Sequence, residues 1–507
     1  MDAAKHLARP KRIGDVDVAI IGSGLGGLAS AAQLKQAGFS NIAVFEKASG
    51  LGGVWQANKY PNVACDTPID LYSFRFYPGT KWTTNFAPGN EILAYLGDLA
   101  ETYGLHDLIH YNAEVTAAAW NDTVGRWRLA TADGRAFNAR FIIWAGGIFS
   151  QPTIPTIPGL SAFAGEMLHA SGWSQAVSMG GKRVAVVGSG ATAIQIVPAV
   201  AACAARLINF VRTPSYVMPR PDLFFDHETT DAHKFAEQQR ERRDVWFERF
   251  ELIAKGRFPM NEALIGQQEA EWRRYFESVV SDPRLRQILA PDYRFGCKRP
   301  LFSNAYYPAM IQDNVTVVGS GVAAMTPDGI VDADGTEYKI DMVIWATGFD
   351  PAAMLGGLKI TARDGQELSQ VWGRAPEAYY GTLVKGFPNL FVINGPNVSG
   401  ASATEFIEAQ LKLVIGALER LRENGASVVE VTAAAHDAFN RDIQARAQNS
   451  VLVRGSCNSY YRAAGTGKVI THWPGTIEAF RTEIEREAAA GLSFGGTFAG
   501  PALTAAE

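Results

Sequence analysis

The sequence predicts an α/β fold in which one doubly wound, parallel-sheet plan is used twice and the second copy carries a helical insertion. Three observations carry this reading. Glycine fingerprints stand at Gly22-Ser23-Gly24-Leu25-Gly26-Gly27 and Gly188-Ser189-Gly190-Ala191-Thr192-Ala193, each after a short apolar strand (16–21 and 184–187) and each opening a helix. Two later apolar strands end alike, in FIIWAGG from position 141 and MVIWATG from position 342. The stretch from about 222 to 292 reads as helix throughout, with few glycines, and separates the halves of the second copy.

Taken in order, 1–150 forms the first part of the first domain. The proline-rich run Gln151-Pro152-Thr153-Ile154-Pro155-Thr156-Ile157-Pro158-Gly159 crosses to the second domain, whose first part is 151–221. The helical insertion, 222–292, carries Phe224, Phe225, Trp246, Phe247, Phe250, Trp272, Tyr275 and Phe276, an aromatic load suited to helix packing and to lining an apolar pocket. The second domain resumes over 293–350, and 351–507 returns to the first with a strand at 390–394 and a helix at 403–424. The final residues, GLSFGGTFAGPALTAAE, read as a poorly ordered tail.

Composition narrows the function classes. A chain of 507 residues exceeds what one core supports, and 47% hydrophobic with 19% charged residues allows large cores. The net charge of −4, without a long basic run, disfavours nucleic acid as a partner. Cys65, Cys203, Cys297 and Cys457 never form CxxC, which argues against a disulfide framework, a metal site or a dithiol reductase centre and fits a reducing cytoplasm. The N-terminal MDAAKHLARPKRIGD has no apolar core and reads as a loose arm. The uncharged run 184–205 is long enough to suggest a membrane span, but its Gly188-Ser189-Gly190 break favours a buried strand plus helix.

The fingerprints themselves dictate dinucleotide chemistry. In each, the first glycine (Gly22, Gly188) permits a tight turn and the second (Gly24, Gly190) lets backbone approach a pyrophosphate. The closing position (Gly27, Ala193) keeps helix against strand. Helix N–H groups then face the anion, with Thr192 in the first turn of the second helix. At the same distance beyond each first glycine stand Glu46 and Arg212. A carboxylate there binds ribose hydroxyls and repels a 2′-phosphate, whereas Arg212, with Thr213 beside it, accommodates one. The first site therefore suits FAD and the second NADPH.

Between the fingerprints lies Phe163-x-Gly165-x-x-x-His169-x-x-x-Trp173. Together these motifs resemble the signature of type I Baeyer–Villiger monooxygenases, a branch of the flavin-containing monooxygenase superfamily. The likeness is collinear from about Asp17 to Glu483. It extends to Gly52-Gly53-Val54-Trp55, Tyr60-Pro61 with Asp66, Lys298-Arg299-Pro300, and Ala346-Thr347-Gly348-Phe349-Asp350. Flavin-containing N- and S-oxygenases are similar but typically carry another aromatic at the Trp173 position. Three positions depart from the pattern: Ser174 after the signature Trp, Asn62 after Tyr60-Pro61, and Tyr460 where a CxSWY pattern has Trp.

The resemblance implies an NADPH- and FAD-dependent enzyme that inserts one atom of O2 into a ketone, by way of a C4a-peroxyflavin, to give an ester or lactone. It assigns Arg299 as the permanent cation facing developing negative charge, and Asp66 as the carboxylate that fixes it. Read without it, Asp66 before Thr67-Pro68 suits a helix cap and Arg299 a surface pair. It also implies that Gly53 and Trp55 support the flavin, that Lys298 joins Arg212 on the 2′-phosphate, and that Tyr460 helps place the nicotinamide ribose. Gly165, His169 and Trp173 couple the domains as a packed hinge. The expected substrate is an apolar ketone, and the expected state a monomer or weak homo-oligomer. The alternatives are N- or S-oxygenation, a non-oxygenase NADPH-dependent flavoprotein reductase, and a flavoprotein without turnover.

Overall fold

Two sheets whose central strands run parallel in the same order form the frame. The computed structural model describes residues 14–226, 232–400, 402–486 and 488–496, so most of the N-terminal arm and the end of the tail lie outside the described residues. In the first sheet, the strand Val16–Ile21 lies between Ile42–Phe45 and Ala136–Trp144. In the second, Arg183–Val187 lies between Arg206–Phe210 and Met342–Trp345. The registers match residue for residue: Ile21 faces Phe45 and Trp144, and Val187 faces Phe210 and Trp345. All these pairings are parallel, and the strands are almost wholly buried, which is why they read as apolar runs ending in the same Trp-Ala step.

The outer positions correspond too. Leu390–Val392 flanks the first sheet where Glu166–His169 flanks the second. Ile109–His110 occupies the place taken by Val315–Val318. The first sheet is further extended by Arg126–Thr131, Val115–Asn121 and Lys359–Thr361.

The insertion bridges both sheets' domains. It comprises helices Ala232–Arg257, Glu262–Val279 and Pro283–Leu289. The second and third of these begin on side-chain caps. Asn261 accepts from the Leu264 N–H, and Asp282 from the Arg284 N–H, with Pro283 in the first turn. The long helix is fastened to the first domain. Arg242 forks onto Asp70, and Arg243 reaches Glu405 at 2.6 Å. The next helix packs on the second domain, with Trp272 stacked on Phe276 and its indole N–H donating to Tyr307 Oη at 3.0 Å.

Two expectations are corrected and one holds. Residues 222–226 are not helical: Phe224 pairs with Thr84 as an extended bridge and is 77% exposed. The aromatic load is mainly packing, as the sequence suggests: Trp272 and Phe276 lie in a core and Phe247 sits beneath Arg75 and Arg481. The supposed tail includes a strand, Leu492–Gly495, paired antiparallel with Val428–Val431, whose alternating pattern is too short to register against neighbouring glycines. Among the described residues no helix is long and apolar enough to cross a membrane; the run 184–205 is a strand and the helix Ala191–Cys203.

Candidate active site

The first fingerprint forms a cradle bounded by backbone. Gly22 turns at φ +103°, donates its N–H to Phe45 O at 2.8 Å, and leaves no room for a side chain against the Ala145 carbonyl. The helix Leu25–Gln36 that follows has no side-chain cap and no acid in its first turn, so its first N–H groups carry no side-chain partner. Gly53, at φ +58°, lies against it: a Cβ there would come within 2.9 Å of the Gly24 Cα. The Gly52 N–H donates to Ser23 O at 2.9 Å. Trp55 closes the loop with its indole N–H on Tyr72 Oη at 3.2 Å. Glu46 is buried and held by three donors: Ser23 N–H and Oγ on one oxygen, Ala48 N–H on the other.

The second cradle repeats this plan with opposite charge. Gly188 N–H donates to Phe210 O at 3.0 Å, and Ser189 Oγ to Thr213 O at 2.6 Å. A side chain at Gly190 would meet nothing within 4 Å, so the backbone there is open to a ligand. The helix Ala191–Cys203 likewise starts without a side-chain cap or an acid in its first turn. Arg212 is exposed, and Lys298 stands near enough to feel it. Burial, then the charge of Arg212, lowers the Lys298 ammonium below its ordinary 10.5. Two neighbouring cations of this kind await an anion.

Arg299 and Asp66 meet where the domains meet. Arg299 Nε donates to Asp66 Oδ2 at 2.6 Å, and Nη2 to Oδ1 at 2.7 Å and to Thr67 Oγ1 at 3.0 Å. Burial opposes the charge on this guanidinium, but Asp66 outweighs it and pushes the Arg299 pKa up, so it stays cationic at every working pH. These bonds leave the Nη1 donors unused, and the side chain keeps 35% of its exposure. Asp66 is not a helix cap; the following short helix is preceded by Pro68 without any side-chain cap.

The loop bearing Asp66 is itself clamped to the second domain. Gln195 Oε1 accepts from Ala64 N–H and Nε2 donates to Ala64 O, while Asn62 reaches Gln195 O. Thr192 bonds the Tyr60 hydroxyl, so this threonine is engaged across the seam. Burial pushes the Tyr60 phenol up to about 12, which keeps it protonated.

His169 ties two crossing strands together. Its Nδ1 accepts from Ser171 N–H at 3.2 Å, so Nε2 carries the proton and donates to Gly348 O at 3.2 Å. Thr153 N–H donates to the same carbonyl at 2.9 Å, and Thr347 Oγ1 bonds Thr153 O. Burial lowers the His169 pKa below its ordinary 6.5, leaving the ring neutral. Gly165 is required by packing, because a Cβ would strike Phe163 and Asp341 O, and Trp173 is buried in the same cluster as Tyr60.

The cysteine reading needs correction: Cys297 and Cys457 form a disulfide, their Cα atoms 6.1 Å apart. A single bridge across 160 positions leaves no spacing pattern to recognise. Cys65 is buried beside Asp66, and burial pushes its thiol up, which makes it unreactive. Sequence reasoning also missed Arg257, at the end of the long insertion helix. It is 8% exposed, its Nε and Nη2 have no partner, and it interacts with the charge of Arg299. Buried His472 faces both cations, and burial first, then these charges, hold it well below its ordinary pKa. Tyr460, half exposed, lies edge-on to Tyr461 at 4.6 Å.

Two capless helix N-termini, each beyond a glycine turn that a Cβ would block or that opens on empty space, fit two pyrophosphates. Glu46 suits a free ribose and the Arg212–Lys298 pair a phosphorylated one, so the residues fit FAD and NADPH. Comparison with known proteins agrees. Residues 15–227 match the flavin-binding monooxygenase-like family. A Baeyer–Villiger monooxygenase of Streptomyces coelicolor is 37% identical, covering 93% of this chain and 91% of the relative. One from Pseudomonas aeruginosa is 36% identical over 92% of this chain and 88% of its own. The structure of an oxidized steroid monooxygenase bound to NADP superposes with a TM-score of 0.84 at 30% identity, covering 95% of this chain and all of that one. The chain belongs to the Baeyer–Villiger monooxygenases, within the flavin-binding monooxygenases.

Proposed function

We propose that this Baeyer–Villiger monooxygenase holds FAD at the Gly22 cradle and NADPH at the Gly188 cradle, and sets the ketone oxygen against Arg299. The observation that carries the reading is the two-point Arg299–Asp66 pair, which fixes the guanidinium plane and leaves Nη1 free to donate. When bound, the flavin accepts hydride from NADPH and activates O2. Glu46 receives the adenosine ribose of FAD, and the helix Leu25–Gln36 its pyrophosphate. Gly53 and Trp55 shape the flavin side of that cradle. Arg212, Thr213 and Lys298 take the 2′-phosphate of NADPH, and Tyr460 borders its ribose.

As a carbonyl is attacked, negative charge grows on its oxygen. A preorganised cationic donor pays no reorganisation cost at that moment, and one such donor is worth about 3 kcal/mol. Arg299 supplies that donor, and Asp66 keeps it aimed. Tyr60 and His169 remain neutral hydrogen-bonding groups, and His169 with Gly165 and Trp173 transmits movement between the cradles.

The substrate is an apolar ketone, consistent with Phe86 lying edge-on to Trp246 and tilted against Phe302. The enzyme works in the cytoplasm as a monomer or weak homo-oligomer. The test is turnover of a ketone panel with NADPH under ¹⁸O2. Labelled ester or lactone is the expected product. Labelled N-oxide or sulfoxide, without ester from any ketone, would assign the chain to N- or S-oxygenation instead.

A further inference from the structure

The loop that carries Arg299 has no regular secondary structure from 294 to 300, and neither has the segment 456–459 that leads to Tyr460. Arg299 is held at its tip by Asp66, but a side-chain fork fixes the guanidinium and not the backbone behind it. That backbone is held on one side by Glu269 of the insertion, which accepts from Phe295 N–H at 3.0 Å, and on the other by the C-terminal segment. Arg294 N–H donates to Gly455 O at 3.0 Å, and a side chain at Gly455 would come within 2.9 Å of the Cys297 Cβ. Cys297, two positions before Arg299, is fully buried and bonded to Cys457, three positions before Tyr460. The covalent link thus joins the residue set against the ketone to the residue set against the nicotinamide ribose.

We propose that Cys297 and Cys457 are positioning residues for the oxygenation, and that their thiol or disulfide state sets how tightly NADPH oxidation is coupled to oxygen insertion. This rests on the site assignment above. Cys457, part-exposed between exposed Ser456 and Asn458, is the accessible sulfur, whereas Cys297 is sealed. A thiolate of a small dithiol attacks Cys457 Sγ, and Cys297 leaves as thiolate and takes a proton. The second thiolate of the reagent then attacks the reagent's own sulfur in the mixed disulfide, releasing the Cys457 thiolate, which is protonated. The dithiol becomes a cyclic disulfide, having given two electrons to the protein.

The test uses the FAD-loaded enzyme with and without dithiol treatment, with thiols at 297 and 457 counted by alkylation and mass spectrometry. Opening the bridge is expected to lower ester formed per NADPH by about tenfold, with hydrogen peroxide making up the difference, and to raise the KM for NADPH. The C297S/C457S double variant should match the opened enzyme and ignore dithiol, while C203S, altered at an exposed cysteine, should respond like the wild type. Should the double variant fail to fold, the dithiol-opened wild type gives the same readout as long as it retains flavin. Two results would overturn the inference: free thiols at 297 and 457 in the untreated enzyme, or an opened bridge that changes melting temperature alone. Failure of the untreated enzyme to make any ester would instead overturn the activity assignment, and the KM for NADPH would still report on the bridge.

Discussion

Arg243, in the middle of the long insertion helix, donates to Glu405 at 2.6 Å, and both side chains are almost sealed from solvent. Arg75 and Arg481 share the same carboxylate, at 3.2 and 3.5 Å. One buried carboxylate therefore engages three guanidinium groups, with the charges of Glu408 and Asp70 also facing Arg243, and fastens the insertion to the first domain. Glu405→Gln removes that shared charge and is expected to cost about 3–5 kcal/mol. Urea unfolding of the FAD-loaded protein measures this, and hydrogen exchange should locate the loss along 232–257.

On the proposed assignment, selection of NADPH over NADH depends on Arg212 and Lys298. Arg212→Ala removes a charge-assisted contact worth about 2 kcal/mol, and the KM for NADPH should rise about thirtyfold. The KM for NADH should barely move, because NADH has no 2′-phosphate for Arg212 to contact.

The same pair gives NADPH binding a pH dependence with a definite sign. The ammonium of Lys298 titrates below 10.5, lowered by burial and then by Arg212, and only its charged form attracts phosphate. NADPH affinity should therefore weaken as pH rises toward 10.5. Lys298→Met should bind more weakly at neutral pH and lose that alkaline limb, read by quenching of intrinsic fluorescence.

His169 contributes to stability with the opposite slope. Its folded pKa lies below the unfolded 6.5, so the neutral ring's contribution is complete above 6.5 and is lost as pH falls below that value. His169→Ala leaves the Ser171 N–H unpaired and removes one of the two donors to Gly348 O. It should cost about 1–3 kcal/mol at neutral pH and flatten the acid limb of the unfolding curve. Flavin reduction by NADPH should slow in parallel, because the segment at 347–348 loses its side-chain tie to the strand Glu166–His169.

What could be read from the chain was what repeats or what chemistry restricts. The fingerprints and the Trp144 and Trp345 strand ends leave local marks and occupy matching registers, whereas Glu46 directly follows Phe45 and Arg212 stands one position further on, two beyond Phe210. Arg299 and Asp66 are 233 positions apart, and only resemblance to a family joined them. Arg243–Glu405, Cys297–Cys457 and the environment of Arg257 were invisible for the same reason: each depends on chain segments that meet only after folding. The docking of the insertion onto the first domain rests on buried ion pairs, which look like ordinary helix surface charges in a sequence.

Arg299 is proposed to stabilise charge on the ketone oxygen. The most direct measurement is ¹⁸O-labelled ester formed per NADPH consumed by Arg299→Ala, compared with the wild type at saturating ketone. Expected are continued NADPH oxidation, ester formation reduced by about a hundredfold or more, and reducing equivalents released as hydrogen peroxide. Labelled ester formed at the wild-type rate would contradict that role.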